Sequence, residues 1–164
     1  LPCRHEVSAI PHPTTIRRNV RTAFENGLAP AGRFGQRKTL RALCAEDDEP
    51  LAQTIKHALE RAEHAVDCVG DGQTALARLL ATPAFYHMLL TDHRMPRLTG
   101  SDLVAKLRDT SFSGTIIVHS ASLSRAEANA YRALAVDHIL SKPAELADLL
   151  AIMQRLAESS DAGR

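Results

Sequence analysis

From Thr39 onward, five short apolar runs alternate with five segments of helical spacing, and this alternation constrains the fold more than any other feature of the chain. The runs are Leu40–Ala45, Ala65–Val69, His87–Thr91, Thr115–His119 and Val136–Leu140. Each is short and nearly continuous, as expected of strands buried on both faces. After the first run, Leu51, Ile55, Leu59 and Ala62 recur at helical intervals and predict a helix from about Glu49 to His64. Leu76, Leu79 and Leu80 mark a second helix behind Asp71-Gly72, and Leu103, Val104 and Leu107 a third, opened by Ser101 or Gly100. The Ala-rich stretch Ser122–Leu134 predicts a fourth, with Ser122 or Ser124 as its cap. A fifth begins at Pro143, a residue suited to the first helical position, and carries Leu146, Leu149, Leu150, Met153 and Leu156.

Strands that alternate with helices form a doubly wound α/β layer structure around a five-stranded parallel sheet. Right-handed crossovers then bring every strand's carboxyl end to one edge, where open sheets of this kind bind ligands. The residues just past those ends are therefore the ones to inspect. They are Glu46-Asp47-Asp48 after the first strand, Asp92 after the third, Ser120 at the end of the fourth and Lys142 after the fifth.

Their chemistry is coherent. Carboxylates gathered at one edge repel, and a hard divalent cation such as Mg²⁺ relieves the repulsion through oxygen ligands. Glu46, Asp47 and Asp92 are placed to supply them. A carboxylate can also act as a nucleophile toward phosphorus. Phosphoryl transfer needs little beyond positioning and charge stabilisation, for which Lys142 offers a cation and Ser120 a hydroxyl donor. Asp48 and Glu49 read instead as acids at a helix amino terminus. His119, beside Ser120, reads as a solvent-facing histidine.

Composition narrows the classes further. At 164 residues, 45% hydrophobic and 24% charged, one globular domain is expected. No apolar run approaches the roughly 20 residues of a membrane helix. Cys3, Cys44 and Cys68 lack metal-ligand spacing, and the latter two read as small hydrophobes in a reducing, cytoplasmic setting. The net charge of +1 conceals a split: residues 1–40 hold seven Lys/Arg and two acids. Residues 1–38 read as a basic extension, with one short helix over Thr15–Gly27 or none, and a linker at Ala29–Gly32. Residues 39–157 form the folded domain and 158–164 a frayed tail. The basic leader lacks interleaved aromatics, which argues against direct nucleic-acid binding.

The motifs also carry a resemblance. Residues Thr39–Leu156 resemble the receiver domain of two-component response regulators of the single-domain chemotaxis type. "ALCAEDDEPLA" is similar to the family's acidic-pair motif, "LLTDHRMPRLTG" to its phosphoacceptor loop, "IIVHSAS" to its hydroxyl-small pair and "HILSKPAEL" to its Lys-Pro pair. The resemblance implies the flavodoxin-like strand order 2-1-3-4-5, for which the chemotaxis receiver is a standard example. It implies that Asp92 accepts a phosphoryl group from a sensor histidine kinase or a histidine phosphotransfer protein. It also implies Mg²⁺ held by Asp47, Asp92 and the backbone carbonyl of Arg94, with Glu46 acting through water. Lys142 would pair with phosphoryl oxygens, and Ser120 would swing inward to bond one, shifting the face of helix four, strand five and helix five toward an output partner.

Two departures stand out. The family places an aromatic three residues before the lysine, where this chain has Ile139; that leaves room for a degenerate receiver that binds partners without phosphorylation. Arg94 occupies a position where its guanidinium could reach the phosphoryl group and alter its lifetime. Arg94 also stands where haloacid-dehalogenase-type phosphatases want a second aspartate, so a phosphoreceiver rather than an enzyme is expected. A transcription factor is not expected either, since little sequence follows Leu156.

Overall fold

A computed structural model describes residues 38–142 and 146–159. The short helix at Thr15–Gly27, the linker at Ala29–Gly32, the helix start at Pro143 and Cys3 lie outside the described residues. Within them the elements run β1 (Arg41–Ala45), α1 (Glu49–Arg61), β2 (Ala65–Val69), α2 (Gly72–Ala81), β3 (Met88–Thr91), α3 (Gly100–Arg108), β4 (Thr115–Ser120), α4 (Arg125–Ala133), β5 (His138–Ser141) and α5 (Leu146–Ser159). The expected tail at 158–164 overlaps α5 at Glu158 and Ser159 and otherwise falls outside the described residues.

All five strands are parallel in the order β2-β1-β3-β4-β5. The alternating side chains of β1 show how the sheet is covered. Leu43 and Ala45 face a core built with Leu76 and Leu79 of α2, Leu103 and Leu107 of α3 and Tyr131 of α4. Ala42 and Cys44 face the other core, with Ile55 and Leu59 of α1 and Leu149, Ile152 and Met153 of α5. Each fully buried Leu or Ile contributes about 1.5–3 kcal/mol as an upper figure. The two cores explain why the central strands β1, β3 and β4 read as nearly continuous apolar runs.

The helices begin where short polar side chains can take up exposed amides. Asp48 accepts from Leu51 N at 3.1 Å, Asp71 from Thr74 N at 2.8 Å and Thr99 from Asp102 N at 3.2 Å. Ser124, rather than Ser122, caps α4, and Glu127 closes a reciprocal capping box with it. The first helix stops short of the expected His64, because Glu63 adopts a left-handed φ of 65°. No helix among the described residues is long and apolar enough to cross a membrane. At the amino edge of the sheet, a cavity of about 370 Å³ is lined by Leu40, Tyr86, Thr115, Leu156 and Ser159 among others.

Candidate functional site

Sheet order does most of the positioning. Because β1 lies between β2 and β3, the chain leaving β1 and the chain leaving β3 emerge side by side. Glu46 N donates to Val69 O at 3.0 Å and Asp92 N to Ala45 O at 2.9 Å, so the ladder fixes the backbone up to both acids. Glu46 is 3% exposed and Asp92 9% exposed. Asp47 is exposed beside them, and one carboxylate oxygen from each of the three lies within 4.8 Å of the others.

Lys142 reaches into this cluster from the end of β5. Its Nζ donates to Glu46 Oε2 at 2.7 Å and Oε1 at 2.9 Å, and lies 3.1 Å from Asp92 Oδ2. Burial pushes the Glu46 carboxyl above its ordinary value, against the opposing pull of Lys142. Burial alone would lower Lys142, but its bonds to Glu46 and Asp92 outweigh burial and the net direction is upward. The ammonium therefore stays charged between two acids. Asp92 Oδ1, on its other side, accepts the His93 amide at 2.6 Å.

The remaining predicted residues fall around this pocket. Ser120 is buried, and its hydroxyl donates to Ser122 O at 3.3 Å, turned toward its own loop. Ile139 is half-buried and packs on the core that contains Tyr131. Arg94 is exposed in the loop after β3. Neighbouring Arg97, with a left-handed φ of 66°, ion-pairs with Asp71 and so ties that loop to the start of α2. Gly100 closes the loop, where a Cβ would stand 2.1 Å from Asp92 O. Cys44 and Cys68 are free thiols on paired strands, Cys44 buried and Cys68 half-buried.

One expectation is overturned. His119 does not face solvent: it is 7% exposed, and neither ring nitrogen has a hydrogen-bond partner among the described residues. The strand's alternation puts it on the face of the sheet opposite Val118, which is covered by α1 and α5. Burial and the nearby Lys142 charge hold its pKa below the ordinary value, so it is a neutral imidazole.

Sequence reasoning also missed three linked residues. His93 Nδ1 meets Tyr131 Oη at 2.8 Å, and His93 Nε2 meets Glu127 Oε1 at 2.9 Å. The available signals were a capping-box spacing from Ser124 to Glu127 and a single aromatic in an Ala-rich helix.

The donor set fits a hard cation. Three carboxylates with mutually close oxygens suit Mg²⁺, whereas no sulfur or imidazole ligand stands among them. When bound, such a cation would neutralise charge building on transferred oxygens.

Comparison with known proteins agrees with this geometry. The model of the response regulator receiver domain matches residues 42–154. The transcriptional regulatory protein TctD of Salmonella typhimurium is 31% identical over 121 residues, covering 74% of this chain and 53% of that protein. The sensory transduction protein RegX3 of Mycolicibacterium smegmatis is 30% identical over 125 residues, with 74% and 54% covered. The chain thus spans about half the length of these curated relatives. The receiver domain of the Francisella response regulator 1452 is similar in structure, with a TM-score of 0.67 at 28% identity, covering 74% of this chain and 99% of that one.

Proposed function

We propose a function for this chain, which belongs to the response regulator receiver domain family: Asp92 accepts a phosphoryl group from a histidine kinase or a histidine phosphotransfer protein in a two-component exchange. One observation carries the reading. Residues separated by up to 96 positions meet at a single sheet edge, with Lys142 Nζ 2.7 Å from Glu46 and 3.1 Å from Asp92. An aspartyl oxygen is the nucleophile, Lys142 offers positive charge to the incoming phosphoryl oxygens, and the Ser120 hydroxyl can turn from Ser122 O to donate to one of them. Glu46, Asp47, Asp92 and the carbonyl of Arg94 would hold Mg²⁺. The exposed Arg94 side chain would modulate how long the phosphoryl group survives.

The output is a change of population. Phosphorylation favours one of two arrangements of α4, β5 and α5 by binding it better, and a near-complete shift takes about 5.5 kcal/mol of differential affinity. A partner protein reads that face. The chain works as a cytoplasmic receiver and not as a turnover enzyme, since Arg94 leaves no second acid two residues beyond Asp92. Ile139 supports a second reading, a module that binds its partner in either state.

Incubation of the full chain with acetyl phosphate, with and without Mg²⁺, separates these readings. Intact mass should show one Mg²⁺-dependent phosphoryl group on the wild type and none on Asp92→Asn. A wild type that takes no phosphate, or an Asp92→Asn variant that takes it equally, would falsify the assignment. Sustained hydrolysis of a chromogenic phosphoester would favour an enzyme instead.

A further inference from the structure

The residue after the phosphoacceptor is bolted to α4. His93 is 9% exposed, with its amide on Asp92 Oδ1 and both ring nitrogens on α4 side chains. Its ring stands edge-on to that of Tyr131, centroids 5.7 Å apart at 76°. Tyr131 is fully buried, and burial first, with the nearby acids Asp92, Glu127 and Asp102, pushes its hydroxyl far above the usual range. It therefore stays protonated. In the neutral ring, Tyr131 O–H donates to His93 Nδ1 and His93 Nε2–H donates to Glu127.

Glu127 has a second task. Its other oxygen, Oε2, accepts the Ser124 amide at 2.6 Å and closes the capping box that starts α4. One side chain thus joins the His93 ring to the start of the helix. The second anchor point, Tyr131, lies a turn further along the same helix. Ile139, which offers no ring and no hydroxyl, packs against the same core as Tyr131.

We infer that His93, Tyr131 and Glu127 form a positioning relay that carries the state of Asp92 into α4, in place of a ring at position 139. The inference rests on the phosphoacceptor role proposed for Asp92. A phosphoryl group on the Asp92 carboxylate changes what the His93 amide is bonded to, and movement of His93 is passed to α4 at two points. The helix is the two-state element, and the relay biases it. Tyr131 touches no reacting atom; it acts through His93.

Tyr131→Phe tests this, because it deletes one hydroxyl and keeps the ring in the core. Wild type and variant are treated with acetyl phosphate and Mg²⁺, with intact mass giving phosphate occupancy and amide hydrogen exchange giving the protection of Arg125–Ala133. The expected result is similar occupancy in both, with the phosphate-dependent change in α4 exchange reduced about fivefold or more in the variant. A structural role alone would alter exchange equally with and without phosphate. Equal phosphate-dependent changes in both proteins, or phosphorylation of the wild type with α4 unmoved, overturn the relay and leave the phosphoacceptor reading standing. No phosphate on the wild type overturns both. Should Tyr131→Phe not fold, Glu127→Ala serves: it removes both contacts of the carboxylate, and an undiminished α4 response to phosphate there overturns the relay as well.

Discussion

Lys142→Met is the sharpest probe of the pocket, because it removes the cation and keeps much of the side chain's bulk. At 2.7 and 3.1 Å, with an effective dielectric near 20, the two contacts are each worth about 5–6 kcal/mol before desolvation. Removing one partner of a buried pair typically costs about 3–5 kcal/mol. The pocket sets a ceiling of its own, since Glu46 can take a proton once the lysine is gone. Protonating a glutamate of ordinary pKa at pH 7 costs about 4 kcal/mol, and at pH 5 about 1 kcal/mol. Burial already raises Glu46 in the wild type, so part of this cost is present there, and a loss of about 3 kcal/mol is expected at pH 7. The sign follows from the direction of the shift. A carboxyl whose folded pKa lies above its unfolded value favours folding below the unfolded pKa, and that advantage fades as pH rises through the folded one. Deleting Lys142 raises Glu46 further, so the variant's deficit grows from pH 5 to pH 7. Urea unfolding of both proteins at the two pH values measures it. A deficit that is absent at pH 7, or as large at pH 5, would refute a lysine that neutralises buried acids.

Three further outcomes follow from the geometry. Gly100→Ala should destabilise the fold by about 2–3 kcal/mol in urea unfolding, since its methyl group would meet the Asp92 carbonyl at 2.1 Å; an unchanged midpoint counts against that packing. His119→Val should raise stability by about 1 kcal/mol by removing a buried imidazole with no partner among the described residues, and a lower midpoint would show that the ring is satisfied. The Ser124 backbone and hydroxyl, then His93, hold the Glu127 carboxyl down to about 2. A depressed carboxyl contributes its stability above the unfolded pKa and loses it as pH falls toward 2, so the protection of α4 amides, measured against their intrinsic exchange rates, should fall over that range in wild type and far less in Glu127→Gln.

The central strands β1, β3 and β4 were legible because they are buried on both faces and read as nearly continuous apolar sequence; the edge strands β2, with Asp67, and β5, at most half-buried, carried the weaker signal. Glu46, Asp92, Ser120 and Lys142 were legible because they follow directly on strand ends, and a parallel sheet brings those ends together. The strand order itself came from the family resemblance. What the sequence concealed was orientation. His119 looks like any polar residue near a loop, yet strand alternation turns it inward beneath α5. Tyr131 sits at a helical position that reads as plain core, and only the crossing of α4 behind the β3 loop brings its hydroxyl to His93. Glu63 ends α1 through a backbone conformation that its side chain does not announce.

Leu40, at the entry to β1, and Ser159, the last residue of α5, line one cavity at the amino edge of the sheet, whereas Asp92 and Lys142 stand at the carboxyl edge. The entry to the first strand and the end of the last helix thus share the side of the sheet remote from the acids. Apolar packing at one pole and paired charge at the other can therefore vary independently.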